Sequence, residues 1–265
     1  MRQHTFVVLA HKTSPYLDEC LKSLNEQSVP SSIIIATSTP SPFIEQIARF
    51  YGHPVRINPE SRGIASDWNF GLAQANTPFV TLAHQDDLYD RSYTEKMLKV
   101  ASQRIDNLIT FSDYHEMFGN EVHSSTKNLR IKRAVIRGAF GRSRLISSRL
   151  RKKMLLSFGN PIPCPSVMYN RENLPNFSFS YTLSISIDWD AWINIALLRG
   201  SIACVKEPLL THRIHAASET SRGIADKRRA KEDFLLFRKM WPMPIAVVLS
   251  QLYALSYKGN ESGKR

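Results

Sequence analysis

From its first residues the chain alternates short apolar runs with amphipathic stretches. Thr5–Ala10 is apolar throughout from Phe6, the pattern of a buried strand. Ser14-Pro15 then reads as an N-cap followed by proline at the first helical position, with Leu17, Leu21 and Leu24 on one helix face. Ile33–Ala36 is a second strand. Ser41-Pro42 opens a second helix, with Phe43, Ile47 and Phe50 on one side. Val55–Ile57, Phe79–Ala83 and Leu108–Phe111 read as further strands. Between them Ile64, Trp68, Leu72 and Ala75 recur at helical spacing, and Ser92 with Glu95 forms a capping-box pattern ahead of Met97, Val100 and Ala101.

This alternation predicts βαβ units and an α/β fold: a mostly parallel central sheet with helices on both faces. Such sheets bind ligands beyond the carboxyl ends of their strands. The residues to watch are therefore His11-Lys12, Thr37-Ser38, Asn58 and His84-Gln85-Asp86-Asp87. Past Ser112 the pattern weakens. Lys127–Leu156 interleaves basic and apolar residues, and Asn160–Ser166 carries three prolines and reads as a rigid loop. Asp188–Arg199 is a helix capped by Ser186 or Asp188 and closed by Gly200. Ala225–Met240 is a charged helix, and Pro244–Tyr257 an apolar amphipathic segment before a polar tail.

The chain has 265 residues, of which 43% are hydrophobic, enough for a sizeable core and too many for a disordered chain. Its net charge of +12 is local. No Asp or Glu occurs from Val122 to Arg171, where twelve Lys and Arg fall; elsewhere 23 basic residues balance 23 acidic ones. A uniformly basic protein would suggest nucleic acid, whereas one basic segment on a neutral protein suggests a local anionic partner. Cys20, Cys164 and Cys204 are odd in number and widely spaced, as expected for reduced thiols of a cytoplasmic protein. The apolar run Phe6–Ala10 is too short for a signal-peptide core, and no stretch is long enough to span a membrane.

Three groups of residues could carry chemistry. Asp86-Asp87 follows a strand directly; two adjacent carboxylates attract a divalent cation, or simply cap the next helix. Asp188 and Asp190 lie in Ile187-Asp188-Trp189-Asp190-Ala191-Trp192, where a carboxylate beside an aromatic wall could act as a general base, or serve as an N-cap and first-turn charge. His212, Arg213 and His215 could ligate metal or hold phosphate, or belong to a surface loop.

In their order these blocks resemble the family 2 glycosyltransferases, nucleotide-sugar enzymes of the GT-A fold, from Phe6 to about Ser221. The opening strand and helix look like the family's start, including Ser23-Leu24 through Gln27. Asn58 with Gly63 through Leu72 is similar to its segment ending in Asn followed by Gly-Leu. His84-Gln85-Asp86-Asp87 occupies the place of its metal-binding Asp-x-Asp-Asp run. Ile187–Trp192 looks like its Glu-Asp-Trp-Asp-x-Trp base motif, and Arg213-Ile214-His215 with Ser218 and Thr220 like its closing Arg-x-His segment. There are departures: His84 replaces the first Asp of the run, Ile187 replaces the Glu, and Ala36-Thr37-Ser38-Thr39 stands where many members carry acids that bind the nucleoside.

The resemblance implies an inverting transferase of the bacterial cell-surface polysaccharide type, as in lipopolysaccharide and cell-envelope synthesis. It would move a sugar from a nucleotide-diphosphate sugar, a UDP-sugar foremost, to a hydroxyl of a glycan or lipid-linked acceptor. It implies Asp188 as base with Asp190 as the alternative, and Mg²⁺ or Mn²⁺ held by Asp86, Asp87 and His215. Ala10, His11, Ser38, Arg62, Gly63, Asn69, His84, Gln85, Asp86 and Arg213 would bind the nucleotide sugar. The implied division is a GT-A domain over 1–221 and a C-terminal helical extension over 222–265. Within the domain, 1–115 is the nucleotide-sugar half, 122–171 a basic variable segment at the acceptor, and 172–221 the base half. The basic segment is expected to face an anionic membrane surface or a lipid-diphosphate acceptor, placing the enzyme in the cytoplasm or on the inner face of the cytoplasmic membrane. Two rival readings are a non-catalytic relative, suggested by His84 and Ile187, and a nucleic-acid-binding protein using 122–171. The neutral remainder and the lack of a recognised binding motif argue against nucleic acid.

Overall fold

A computed structural model describes residues 2–215, 218 and 227–257. Thr220, Ala225 and the polar tail from residue 258 onward, all used in the sequence reading, lie outside the described residues.

The first half is built as the alternation predicts: β1 (His4–Ala10), α1 (Leu17–Asn25), β2 (Ser32–Thr37), α2 (Pro42–Tyr51), β3 (Val55–Ile57), α3 (Ile64–Gln74) and β4 (Phe79–His84). A short β5 (Leu88–Tyr89), α4 (Tyr93–Ala101) and the long β6 (Asn107–Phe118) follow. The second half contains β7 (Glu121–His123), α5 (Lys127–Phe140), β8 (Leu145–Ile146), α6 (Arg149–Leu156), β9 (Val167–Asn170), α7 (Ile187–Leu197), β10 (Ser201–Ile214), α8 (Arg228–Met240) and α9 (Met243–Ala254).

One sheet runs in the order β3-β2-β1-β4-β9-β6-β10-β5, with β7 on β6 and β8 on β10. The pairs β3-β2, β2-β1, β1-β4 and β6-β10 are parallel. β9 enters antiparallel between β4 and β6. The chain winds from β1 outward to β3, then returns to place β4 on the other side of β1. This reversal opens a crevice at the carboxyl ends of β1 and β4, where Ala10-His11 and His84-Gln85 stand.

Local signals set some of these elements and not others. Ser41 caps α2, its Oγ accepting from the Ile44 N–H at 3.3 Å. Ser14 does not cap α1; it accepts from the Tyr16 N–H two residues on, and the helix starts at Leu17. The capping box at Ser92 does not form either. Ser92 Oγ donates to Asp90 and Glu95 accepts from Ser28, so the tertiary partners outcompete the local one. Gly63 precedes α3 with φ 108°, which an L side chain adopts only under strain. Gly71 lets α3 approach β1, since a Cβ there would lie 3.0 Å from Val7 Cγ1.

Most of the basic stretch 122–171 is helix and strand, in α5, β8, α6 and β9. Leu129, Ile136, Phe140, Leu155 and Leu156 turn inward, and even Lys152 is buried, donating to the Leu198 and Gly200 carbonyls at 2.6 and 3.1 Å. Leu236, Phe237, Met240 and Ala246 of the C-terminal helices join the same core cluster as Trp189 and Trp192. No helix among the described residues is long and apolar enough to cross a membrane.

Candidate active site

A cleft of about 990 Å³ opens over the carboxyl ends of the strands. One edge of it starts where β1 ends. The His11 N–H donates to Gln85 Oε1 at 3.0 Å, and Gln85 Nε2 donates back to the His11 carbonyl at 3.1 Å. This pair clamps the loop after β1 to the loop after β4. The next residue, Lys12, is held in the left-handed region (φ 55°) while its N–H donates to Thr39 Oγ1 at 2.6 Å.

After β4 the chain turns through His84-Gln85-Asp86-Asp87, and β10 fastens the turn from above. Asp87 is fully buried; its Oδ1 accepts from His212 Nδ1 at 2.9 Å and from the Arg213 N–H at 3.0 Å. Arg213 donates through Nε to the Asp86 carbonyl at 3.1 Å and through Nη2 to Glu19 at 2.7 Å, with its guanidinium 4.2 Å from the Tyr16 ring centre. His215 Nε2 lies 2.8 Å from Asp86 Oδ2.

The charges follow from this packing. Burial works against the Asp86 carboxylate, but the His215 hydrogen bond and the surrounding imidazoles of His84, His212 and His215 outweigh it and hold its pKa below the ordinary value. Burial likewise disfavours the His212 imidazolium, and the adjoining Asp87 carboxylate overrides that and raises its pKa. One imidazole nitrogen and two carboxylate oxygens, from His84, Asp86 and Asp87, lie within 4.8 Å of one another. His84 Nε2 and Asp87 Oδ2 are both buried without a hydrogen-bond partner among the described residues. Two buried lone pairs left unanswered beside an ionised carboxylate are what a divalent cation would satisfy. The donor set fits the implied metal, and one imidazole with two carboxylates suits Mn²⁺ at least as well as Mg²⁺.

Across the cleft, α7 presents Asp188. Trp189 and Trp192 are fully buried and act as anchors, their indole N–H groups donating to the Leu156 and Ile162 carbonyls at 3.2 and 3.3 Å. Burying each ring contributes on the order of 2–3 kcal/mol, so the helix is fixed firmly. With both rings in the core, Asp188 turns into the cleft. Its Oδ2 accepts from Asn160 Nδ2 at 2.8 Å and its Oδ1 from the Trp189 N–H at 2.7 Å. Burial raises the Asp188 pKa in spite of these donors and of the nearby Arg229 charge. Trp189 and Trp192 do not supply the aromatic wall expected beside it, because both indoles serve the core; the aromatic residues of the lining come from elsewhere, among them Phe158, Tyr253 and Tyr257.

The start of α7 is held by the C-terminal extension. Glu232 of α8 accepts four hydrogen bonds, from the Ser184 N–H and Oγ and the Ile185 and Ser186 N–H groups, at 2.7 to 2.8 Å. Burial opposes its charge, yet those donors hold its pKa below normal.

Of the sequence candidates, Ala10, His11, Ser38, Gly63, His84, Gln85, Asp86, Asp188, Arg213 and His215 all line the cleft. Four lie elsewhere. Arg62 is exposed and outside the lining. Asn69 is a structural link, its side chain bonded to both backbone groups of Phe179 at 2.7 and 2.9 Å. Asp87 stands behind the lining, reaching the site through the cluster with His84 and Asp86. Asp190 is buried, accepts from Lys239 Nζ at 2.5 Å and lies outside the lining, so as an alternative base it could not reach an acceptor hydroxyl.

Sequence reasoning missed Asp67, Asn160, Tyr16 and Arg229, all in the lining. Asp67 is the most informative. It comes from α3, and its carboxylate accepts from Ser38 Oγ and Asn58 Nδ2, both at 2.8 Å. It thus brings an acid to the end of β2, where the strand itself has none. Only its place in the first turn of α3, facing the strand ends, could have signalled it.

Comparison with known proteins agrees with this geometry. The sequence profile described as Glycosyl transferase family 2 matches residues 5–173. A Bacillus subtilis (strain 168) protein named "Putative glycosyltransferase EpsH" is 28% identical over 110 residues, covering 40% of this chain and 32% of that one. The match thus spans about a third of that relative's length. Among solved structures, the mannosyltransferase PcManGT of Pyrobaculum calidifontis, in complex with GDP-Man and Mn²⁺, superposes with a TM-score of 0.66 at 14% identity, over 99% of this chain and 74% of that one. S. aureus TarS 1-349 in complex with UDP-GlcNAc gives 0.64 at 14% identity, over 89% and 65%.

Proposed function

The chain belongs to glycosyl transferase family 2, and on that premise we propose that it is an inverting, metal-dependent transferase. It moves a sugar from a nucleotide-diphosphate sugar to a hydroxyl of a glycan or lipid-linked acceptor in cell-surface polysaccharide synthesis. The observation that carries this reading is the placement of two carboxylates, pushed in opposite directions, in the lining of one cleft: Asp86 held ionised, Asp188 with a raised proton affinity.

In this mechanism Asp188 accepts the proton of the acceptor hydroxyl as that oxygen attacks the anomeric carbon. Asn160 and the Trp189 N–H fix the carboxylate's orientation, so one oxygen edge faces the acceptor. His84, Asp86 and Asp87 would hold Mn²⁺ or Mg²⁺, with His215 against Asp86 as a further ligand or phosphate contact. When bound, such a cation supplies Lewis-acid neutralisation of the leaving diphosphate. Arg213 is committed to Glu19 and the Asp86 carbonyl, and acts as the brace of that turn. Ala10, His11, Ser38 and Asp67 form the nucleoside end, where the Asp67 carboxylate accepts from a ribose hydroxyl or a base N–H. A UDP-sugar is the preferred donor.

The test is a thermal-shift screen of nucleotide sugars with Mn²⁺, followed by donor hydrolysis. Binding stabilises the fold by mass action, about 2.7 kcal/mol at a hundredfold excess over Kd. Hydrolysis lost in Asp188→Asn and kept in a distant surface variant supports the reading. A chain that neither binds nor hydrolyses any nucleotide sugar overturns it, in favour of a non-catalytic relative.

A further inference from the structure

The chemistry above leaves one surface without a role. Leu150 and Met154 of α6 and Phe158, two residues past its end, follow one another at four-residue spacing and are 69%, 43% and 54% exposed. On α9, Ile245, Val248 and Leu252 recur at three- and four-residue spacing and are 44%, 54% and 59% exposed. The opposite side of α9 is satisfied, with Ala246 buried and Leu249 and Tyr253 packed on the core. The two stripes adjoin. Phe158 packs against Trp241, just before α9, with ring centres 5.8 Å apart, and the Asn160 N–H donates to the Tyr253 hydroxyl at 3.3 Å. Outward apolar faces on two neighbouring helices are unusual for a water-facing surface.

Charge indicates what covers them. Arg149, Arg151 and Lys153 are exposed on α6 beside its apolar stripe. The stretch 122–171 holds no acidic residue, and α9 holds no charged residue at all. An apolar face that carries cations and no acid over 122–171 and α9 matches the boundary between acyl chains and anionic headgroups. A soluble partner would be expected to meet acids as well as bases at its rim. The face is also continuous with the cleft, because Phe158 and Leu252 line both, alongside Ile131 and Val135 of α5.

We propose that α6 and α9 dock the protein on an anionic lipid bilayer, turning the acceptor side of the cleft toward the membrane surface. Docking stands on the surface alone; only its use, delivery of a lipid-linked acceptor past Phe158 and Leu252 to Asp188, rests on the transferase reading. No described helix is long and apolar enough to span a bilayer, so the attachment is peripheral and, resting partly on charge, salt-sensitive.

Flotation of the whole chain with phosphatidylcholine vesicles, with and without phosphatidylglycerol, tests this. Recovery should require phosphatidylglycerol and fall as salt is raised. Ile245→Asp with Val248→Asp should weaken binding at least about tenfold, and Arg151→Glu or Lys153→Glu about fivefold or more each. Both sites are exposed, so the melting temperature and soluble donor hydrolysis should stay unchanged; that separates failed docking from a failed enzyme. Equal recovery with both vesicle types overturns the proposal, as does binding indifferent to these substitutions. Self-association abolished by Val248→Asp, with no vesicle binding, assigns the face instead to a second copy of the chain.

Discussion

Asp86 and Asp188 line the same cleft and differ only in surroundings. Asp86 sits among three imidazoles, in a turn fastened by β10, and its pKa is lowered. Asp188 sits at the start of a helix whose aromatic residues are locked in the core, with one side-chain donor and one backbone donor, and its pKa is raised. Two identical side chains thereby acquire opposite proton affinities, which suits the tasks proposed for them, one to stay charged and hold a cation, the other to take up a proton. Environment separates the roles, so each is best tested by altering the environment as well as the residue.

The largest effect should come from Asp188→Asn. It keeps the shape and removes the proton acceptor, so turnover should fall by roughly 10²–10⁴ while the affinity for nucleotide sugar, read by calorimetry, is retained. Equal loss of binding and turnover would place Asp188 on the donor side and collapse the contrast. Next, Asp86→Asn should remove the Mn²⁺-dependent part of the donor-induced thermal shift, leaving the apo melting point within a few degrees. An unchanged Mn²⁺ response would move the metal elsewhere.

Glu232→Ala tests whether the C-terminal helices set the position of Asp188. Losing four hydrogen bonds to a carboxylate should cost roughly 1–3 kcal/mol, a fall of a few degrees in Tm. Because the folded-state pKa of Glu232 is lowered, its contribution is present above the unfolded carboxylate value and is lost as pH falls through the folded one. The wild-type and variant denaturation curves should therefore converge in acid and diverge toward neutral pH. The subtlest change is Asn160→Ala. It removes a donor to the Asp188 carboxylate, so the proton is held more tightly. The proposed mechanism requires ionised Asp188, so the acidic limb of the pH–rate profile should move to higher pH by a fraction of a unit. A shift to lower pH would mean that Asn160 acts on something other than Asp188.

Much of the fold was legible in the sequence because the first half obeys local rules. The apolar runs, the Ser41 cap and the helical repeat from Ile64 each announce their element without help from the rest of the chain. Where tertiary partners compete, local signals failed. Ser14 and Ser92 look like caps, yet their hydroxyls serve turns. β9 was missed because four residues behind a proline-rich loop carry no periodicity; pairing with β4 and β6 makes them a strand. The candidate site divides in the same way. His84 to Asp86 follow a predicted strand end and were found, while Asp67 and Glu232 reach their targets across the fold and were not.

By itself, then, the sequence determined the strand–helix alternation of the first half, the strand ends at which the cleft opens, and the confinement of the excess charge to one segment. These depend on spacing and composition, which are local. Tertiary structure decided which of Asp188 and Asp190 faces the cleft, what the basic segment buries, and which residues brace the His84, Asp86 and Asp87 cluster. Those outcomes depend on packing: Trp189 and Trp192 must be buried, and that rotation of α7 leaves Asp188 alone in the cleft and Asp190 against Lys239.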